Sequence, residues 1–357
     1  WKDTWQKSTT TVDGEIVDTY VPGSMMGNPD LKWETTISRN AGIDFGFWNG
    51  KLRGTLDFYW NTTKNILMMV PIDTSTGYTY QFQNVGKTSN KGVELALSYD
   101  IVNKKDWGLT FGMTYNFNHN NIDDLFDGVL ADTHTNWGST TRLPYYDYVI
   151  RKGNPVGLIQ GYKSQGFYTV DDFNVGADGI WTLKPGIPDN VDNIGNFAGA
   201  ENYKRPEDQK AFPGMAKFAD TDGDGKITSS DKTYIGNPNP DFTFGLTNNL
   251  SYKGFNLNIF FQGAVGNDIY NASRMETEGM YDAKNQSTEV LNRWRIPGQI
   301  TDMPRAVATT DNLKASTRFI EDGSFVRLKT VTLSYNFAGG LLKKWGVSRL
   351  QPYVTAQ

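Results

Sequence analysis

One short segment of the sequence carries oxygen-bearing side chains at a spacing that suits metal chemistry. The string DTDGDGKITSSD at 220–231 has carboxylates at its first, third, fifth and twelfth positions and glycine at the sixth. A hard divalent cation takes six to eight oxygen ligands, and this spacing matches the EF-hand-like loop that binds calcium. The pattern therefore predicts a structural calcium site. Its ligands would come from Asp220, Asp222, Asp224, the carbonyl of Lys226, Thr228 and Asp231.

Two features limit what this loop can do. Asp231 stands where a longer glutamate is usual, and neither flanking segment has the pattern of a helix. We therefore expect a calcium ion that stiffens a loop, not a switch that opens a pair of helices. A metal-free acidic turn rich in aspartate and glycine is the alternative interpretation.

The remaining composition excludes several other kinds of site. The 357 residues include no cysteine and only two histidines, His119 and His134, which we interpret as polar loop residues. A thiolate metal site and a cysteine nucleophile are thus excluded, and no nucleophile, base and orienting acid stand at a suggestive spacing. The chain is predicted not to be an enzyme. The net charge of −4 and the scattered Lys and Arg residues argue against nucleic acid as a partner.

The elements that must position the acidic loop show a period of two. In LRGTLDFYW at 52–60 and WGLTFGMTYNFN at 107–118, apolar and polar side chains alternate. No stretch approaches the roughly 18 apolar residues of a membrane-spanning helix, whereas a transmembrane β-barrel reads as polar on average because its lipid-facing and water-facing residues alternate. The sequence is 38% hydrophobic yet 13% aromatic, which suits that class. A soluble β-sandwich shows the same alternation.

The connections between these segments favour the barrel. Short turns at 49–51, 103–106 and 252–254 alternate with long stretches of about 30 to more than 50 residues. Outer-membrane barrels have tight periplasmic turns and long extracellular loops, whereas a sandwich rarely needs such loops. We predict an all-β, antiparallel barrel with strands running toward the short turns at 37–48, 91–101, 145–151, 239–252 and 325–337. Their partners are predicted at 52–60, 107–118, 157–168, 255–264 and 349–357.

The alternation also assigns the two faces of the predicted barrel. Residues predicted to face lipid are Leu52, Leu56, Phe58, Leu109, Phe111, Leu246 and Leu333, and those predicted to face the lumen are Asp57, Glu94, Thr110 and Ser334. Aromatic residues belong at the bilayer interfaces, and Trp48, Trp107 and Trp345 flank predicted short turns while Trp60 lies at the far end of a strand.

Four strings of the sequence resemble SusC/RagA-type TonB-dependent outer-membrane transporters. They are NPDLKWETTISRNAGIDFGFWNGKLRGTLDFYWNTTKNIL (28–67), NVGKTSNKGVELALSYD (84–100), GNPNPDFTFGLTNNLSYKGFNLNIFFQGAVGNDIYN (236–271) and IEDGSFVRLKTVTLSYNF (320–337). The resemblance implies that residues 1–357 are the C-terminal part of a barrel of about 22 strands, of which about ten lie here, and that the plug domain lies outside this sequence. Residues 161–236 are then expected to form an extracellular insertion that holds the acidic loop.

The resemblance also implies a function and partners. It implies active import of oligomeric glycans or peptides at the bacterial outer membrane, of the Bacteroidota type, as the barrel subunit of a SusCD-type complex. The implied partners are a SusD-like surface lipoprotein, TonB, an oligosaccharide or peptide substrate, membrane lipid and lipopolysaccharide, with barrel–lipoprotein pairs that can dimerise. The alternative is a soluble calcium-binding, β-rich glycan-binding or adhesion module.

The outer loops offer aromatic side chains to a glycan or a peptide. Those available are Trp137, Tyr145, Tyr146, Tyr148, Tyr162, Trp181 and Tyr203. The same residues would serve as packing staples within the loops, so the sequence assigns no substrate site.

The predicted strands also carry an expectation about closure. An open sheet edge in hydrocarbon leaves backbone N–H and C=O groups without partners, at several kcal/mol each. About ten strands would leave two such edges, so we expect further strands of the same barrel before Trp1 and after Gln357. Pairing between the segments near 40 and 353 would instead indicate a small closed porin.

Overall fold

The structure is a computed structural model that describes residues 5–125, 132–135, 147–192, 200–307, 310–337 and 346–357. Nearly all of its regular elements are strands, numbered here in chain order: β1 (Trp5–Val12), β2 (Glu15–Pro22), β3 (Met25–Met26), β4 (Thr35–Ile37), β5 (Asn40–Phe47), β6 (Leu52–Pro71), β7 (Tyr80–Asn103), β8 (Trp107–Leu125), β9 (Asp132–Thr135), β10 (Tyr148–Arg151), β11 (Leu158–Gly161), β12 (Ser164–Phe167), β13 (Phe173–Val175), β14 (Trp181–Leu183), β15 (Ala216–Phe218), β16 (Thr233–Gly236), β17 (Phe242–Tyr252), β18 (Phe255–Val265), β19 (Asp268–Tyr270), β20 (Ile320–Asp322), β21 (Phe325–Tyr335) and β22 (Tyr353–Ala356). One α-helix, α1 (Ala272–Glu278), is present in the described residues, and no helix there is long and apolar enough to cross a membrane.

One large sheet dominates the molecule. Its strands follow the order β22-β21-β18-β17-β8-β7-β6-β4, with β5 also on β6 and β3 on β7, which makes ten strands among the described residues. All these pairs are antiparallel except β3 with β7. The predicted all-β, antiparallel partial barrel is confirmed. Strands β5 and β22 pair only with β6 and β21 in the described residues, so the segments near 40 and 353 do not close on each other.

The third predicted strand pair, 145–151 with 157–168, is wrong as part of this sheet. Strand β8 pairs directly with β17, from Trp107 opposite Tyr252 to Asn116 opposite Thr243, which leaves no place between them. Strands β10 and β11 have four residues each, too few to cross a hydrocarbon layer that needs about 9 to 11. They instead form a separate sheet with β9 and β16.

The stretch between 60 and 91, interpreted from the sequence as a long loop, is mostly strand. β6 continues to Pro71 and β7 begins at Tyr80, and the two pair along this extension around an irregularity near Asn65. The extension is rich in threonine, asparagine and lysine. Its alternation is weak because five apolar residues follow one another at 66–70 and Val70 is buried against Val85, so the period-two signal ends before the strand does.

Cross-strand register confirms the predicted separation of the two faces. Directly opposite residues point the same way, and the row Leu56, Leu95, Tyr115 and Phe244 lies on one face while the next row, Asp57, Glu94, Asn116 and Thr243, lies on the other. We call these the apolar face and the polar face. By the same register, Leu52, Phe58, Leu109, Phe111, Leu246 and Leu333 lie on the apolar face, and Thr110 and Ser334 lie on the polar face.

The apolar face distinguishes the sheet from that of a soluble sandwich. In a sandwich the apolar sides of two sheets bury each other. Here Ile43, Phe58 and Leu333 are 62%, 49% and 48% exposed, and no second sheet covers them in the described part of the chain. A surface of this kind requires an apolar surrounding.

Tight turns close the sheet at one end, which we call the short-turn end. Trp48, Asn49 and Gly50 have positive φ, as do Lys253 and Gly254, so both turns use left-handed backbone. Aromatic side chains line this end: Trp107 packs on Tyr252 with ring centroids 5.3 Å apart, and Phe255 on Tyr335 at 4.6 Å. Trp345 lies outside the described residues.

The long connections at the other end fold together. The first runs from 126 to 241 between β8 and β17, and the second from 266 to 324 between β18 and β21. Their described residues share one apolar core, in which Tyr168, Phe212 and Met215 of the first connection contact Trp294 and Val307 of the second. We call this unit the loop domain. The described parts of the 161–236 segment predicted as an insertion, 161–192 and 200–236, lie within it, and the connection that they belong to begins well before 161.

Backbone hydrogen bonds and a partly buried ion pair join the two connections. Tyr162 N–H donates to the Ala315 carbonyl at 2.9 Å and Thr317 N–H donates to the Tyr162 carbonyl at 3.0 Å. Lys314, which is 3% exposed, donates from Nζ to Asp192 Oδ2 at 3.1 Å, and the Tyr162 hydroxyl donates to the same oxygen at 2.7 Å. The seam between the two connections is therefore both close and polar.

Candidate functional site

The acidic loop adopts the compact turn that its spacing predicts. One carboxylate oxygen from each of Asp220, Asp222 and Asp224 lies within 4.8 Å of the others. Gly223 and Gly225 have φ of 79° and 82°, a left-handed conformation that favours glycine and lets the chain curl around these carboxylates. The three side chains are partly or fully exposed. The first three predicted ligands are thus brought together.

Backbone N–H groups lower the pKa of these carboxylates, whereas repulsion between the carboxylates raises it. Asp220 accepts hydrogen bonds from Gly225 N–H at 2.8 Å and from Gly223 N–H at 2.6 Å, and the first of these is the main reason that its pKa lies below the usual range. For Asp222, the N–H of Asp224 acts to lower the pKa, but lost hydration and the neighbouring carboxylates together outweigh it and raise the pKa. A positive charge between the carboxylates would relieve that repulsion.

Asp231 and Thr228, at the end of the loop, cap a turn. Asp231 is fully buried, and its two oxygens accept the N–H groups of Thr221 and Thr228 at 2.6 and 2.7 Å. Thr228 Oγ1 accepts from Ser230 N–H and begins a single 3-10 turn, Ser229–Asp231, which β16 follows. Among the described acidic residues, Asp231 does not join the cluster of three. The expected absence of an exiting helix is confirmed.

The loop is anchored through Ile227 to a second apolar cluster of the loop domain. This residue is completely buried against Tyr162 and Phe218. Its N–H donates to the Asp189 carbonyl at 2.7 Å, its carbonyl accepts from Asp192 N–H, and Asp189 N–H donates to the Gly225 carbonyl. The segment that holds Asp192 for Lys314 is therefore hydrogen-bonded directly to the acidic loop. A lone lysine in a loop has no periodic pattern, so the sequence offered no signal for this link.

The loop aromatics turn out to be packing residues where the structure describes them. Tyr162 and Tyr203 are 1% and 7% exposed, and Trp181 packs edge-on against Tyr203 at 5.2 Å. Tyr148 packs edge-on against Tyr270. These four side chains form internal contacts, as the staple interpretation predicts. Trp137, Tyr145 and Tyr146 lie outside the described residues.

The polar face presents carboxamide groups in a hydrogen-bonded series. The Tyr59 hydroxyl donates to Asn118 Oδ1 at 2.8 Å, and Asn120 Nδ2 donates to Asn90 Oδ1 at 3.0 Å. The Tyr59 ring lies across Gly92, where an added Cβ would come within 2.3 Å of it. This wall of amide, hydroxyl and carboxylate groups can hydrogen-bond to a polar solute without a strong net field.

Known proteins that are similar to this chain include TonB-dependent receptors, in agreement with the β-barrel fold. Residues 9–186 match the family described as TonB dependent receptor-like, beta-barrel. The chain is 30% identical to TonB-dependent receptor P3 of Formosa agariphila over 351 residues, which are 98% of this chain and 32% of that protein. It is 28% identical to TonB-dependent receptor SusC of Bacteroides thetaiotaomicron over 321 residues, 87% of this chain and 27% of that protein.

A solved structure shows the same fold. The RagAB peptide importer in its closed-closed state superposes with a TM-score of 0.70 at 24% identity, covering 100% of this chain and 35% of that one. The chain spans about a third of the length of the curated relatives it matches. The open antiparallel sheet with one apolar and one polar face, the family match and the relatives named as TonB-dependent receptors agree. The chain belongs to the TonB-dependent receptor family and forms part of its β-barrel.

Proposed function

We propose that the protein imports oligomeric nutrients, glycans or peptides, across the bacterial outer membrane as the SusC-like barrel subunit of a SusCD-type complex. The observation that carries the proposal is the two-faced sheet: an exposed apolar face suits lipid, and a polar face lined with amides and carboxylates suits a lumen that passes hydrophilic solutes. The SusC relative and the fold shared with the RagAB importer support this assignment.

The proposal assigns an orientation and partners. Short turns belong on the periplasmic side and the loop domain on the cell surface, since outer-membrane barrels place long loops outside. A SusD-like lipoprotein would meet the loop domain, and TonB would supply energy through parts of the full protein outside these residues. Two barrel–lipoprotein pairs can associate in such a complex.

Growth on single nutrients tests the proposed import. A strain lacking the full gene is grown on a panel of polysaccharides and peptide digests as sole carbon or nitrogen source, beside a complemented strain. We expect growth to be lost on one class of oligomer and kept on its monomers. Unchanged growth on every oligomer, or equal loss on the monomers, would contradict the proposal. Cofractionation with outer membranes, and copurification with a SusD-like lipoprotein, test the location and the partner separately.

We further propose that the acidic loop binds a structural calcium ion. Asp220, Asp222 and Asp224 would supply carboxylate oxygens, Lys226 its carbonyl, Thr228 a contact through water, and Asp231 a lone pair left over from its two N–H contacts. The close carboxylates and the left-handed glycines support this. The ion would hold the loop in the conformation that packs Ile227 on Tyr162 and Phe218, and it would stiffen the loop domain. It carries no step of transport.

A further inference from the structure

A row of basic and aromatic side chains crosses four neighbouring segments at the end of the apolar face. Lys91 lies directly opposite Trp60 and His119. Arg39 precedes β5 by one residue and lies opposite Trp60, whose N–H donates to the Arg39 carbonyl at 2.9 Å. Because opposite residues share a face, these four side chains point the same way as Phe58, Val93 and Phe117 in the adjacent row. All four are exposed.

The row lies at the opposite edge of the apolar face from the short turns. On β8 the apolar side chains run from Leu109 to Phe117, with aromatic Trp107 below them and His119 above them. Trp107 and His119 are twelve positions apart, which is about 40 Å along a strand. At a barrel strand tilt of about 40° this projects to roughly 30 Å, close to the thickness of a bilayer's hydrocarbon core. The row thus falls at the bilayer interface opposite the one at the short-turn end.

The cations of the row contact an aromatic ring and no carboxylate. Arg39 Cζ lies 5.3 Å and Lys91 Nζ 5.0 Å from the centre of the Trp60 ring. Among the described residues, neither cation has an ion pair. The lysines farther from the apolar rows differ, since Lys87 pairs with Asp123 at 3.6 Å and Lys152 with Asp124 at 2.7 Å. Within the described residues, the charges of Arg39 and Lys91 are therefore not compensated by a carboxylate.

We propose that Arg39 and Lys91, held on Trp60, bind the phosphate group of an anionic lipid in the outer leaflet. This inference rests on the proposed orientation, in which the loop-domain end faces outside. A lipid fits better than a free anion because the apolar row of Phe58, Val93 and Phe117 continues directly from the cations. Acyl chains can lie on that row while the headgroup meets the guanidinium and the ammonium. Basic side chains attract anionic headgroups by about 1 kcal/mol each.

Lipid binding to the full-length protein in detergent tests the inference. Native mass spectrometry measures binding of diphosphoryl lipid A and of the same lipid without its phosphates. We expect wild type to prefer the phosphorylated form by about tenfold or more, and the double variant Arg39→Gln/Lys91→Gln to lose that preference. The control Lys104→Gln/Lys105→Gln removes two exposed charges at the short-turn end and is expected to retain it.

The possible outcomes separate this inference from the proposed function. If the two double variants lose the preference equally, or if inorganic phosphate alone competes as well as the lipid, the assignment is overturned. Arg39→Lys/Lys91→Arg keeps both charges and should bind like wild type, which covers the case of a glutamine variant that fails to fold. A protein absent from the outer-membrane fraction would defeat the proposed function instead, whatever its lipid preference.

Discussion

At the scale of single residues, the three clustered aspartates make the acidic loop sensitive to divalent cations. In the absence of a cation their repulsion opposes the close turn, and calcium would reverse that effect. We expect calcium to raise the melting temperature of the loop domain in the full-length protein, with about 3 kcal/mol of stabilisation at a hundredfold excess over Kd. Chelation should reverse it.

The matched variants for this prediction are Asp222→Asn/Asp224→Asn and Asp171→Asn/Asp178→Asn. The first pair removes two charges from the cluster, and the second removes two from a neighbouring stretch of the same connection. Only the first should abolish the calcium-dependent shift, measured by calorimetry with calcium chloride and with chelator. Equal shifts in wild type and the first variant would leave the loop as a metal-free turn.

Asp147 is a buried carboxylate with an unusual titration. It is 1% exposed, and neither of its oxygens has a hydrogen-bond partner among the described residues. Burial raises its pKa to about 6. Because this is above the ordinary value of 3.8, the folded state holds the proton more tightly than the unfolded chain. The resulting stability is fully present below about pH 4 and is lost as the pH rises through 6.

Asp147→Asn mimics the protonated form at every pH. At pH 7.5 we expect the variant to be more stable than wild type by about 3 kcal/mol, and the difference to vanish below about pH 4. Chemical unfolding of the full-length protein, followed by protease resistance of the loop domain, measures both. A variant less stable than wild type at pH 7.5 would mean that the Asp147 charge has a favourable partner.

At the scale of elements, alternation along each strand decides which side chains meet lipid. Leu246 lies opposite Met113 and Phe261 on the apolar face, and the next residue, Thr247, lies opposite Gly112 and Phe260 on the polar face. Leu246 and Thr247 therefore lie at nearly the same depth, but one is on the apolar face and the other is on the polar face. This pair isolates the effect of the face from that of depth.

Lysine at each position tests the assignment. Leu246→Lys should destabilise the barrel by about 2 to 4 kcal/mol, because a charge near the middle of the bilayer loses its hydration, and Thr247→Lys should cost much less. Folding equilibria in lipid vesicles, read from the mobility shift of folded barrels on gels, give the two values. Equal costs would show that the faces have been assigned wrongly.

At the scale of the whole molecule, the two long connections act as one unit because their backbones touch. A Cβ on Gly161 would come within 2.3 Å of the Ala315 carbonyl oxygen and 2.7 Å of Ile235. The Ala315 carbonyl is part of the backbone and cannot rotate away like a side chain, so the two backbones would have to separate. The seam of Tyr162, Asp192 and Lys314 lies beside this contact.

Gly161→Ala should therefore loosen the loop domain and leave the barrel sheet intact. We expect a local loss of about 1 to 3 kcal/mol, seen as faster tryptic cleavage of the loop domain in the full-length protein while the folded barrel keeps its mobility on gels. Gly112→Ala is the control, since its nearest contact would be an ordinary 3.5 Å. Cleavage at the wild-type rate in Gly161→Ala would show that the two connections are not coupled there.

Much of the fold follows from local patterns. Strands 52–60 and 107–118, their two faces and the tight turns were predictable because side-chain alternation and turn chemistry are properties of neighbouring residues. The acidic loop was predictable for the same reason, since Asp220, Asp222 and Asp224 cluster within one turn of chain.

The pairing of distant segments was settled only by the tertiary structure. The short apolar runs at 145–151 and 157–168 alternate weakly like barrel strands, yet β8 joins β17 and leaves them in the loop domain. The contacts of Tyr162 with Ala315, and of Asp192 with Lys314, likewise join positions over a hundred residues apart. Alternation specifies that a strand has two faces, but it does not name the strand's neighbour, because that choice depends on burial and hydrogen bonding summed over the whole chain.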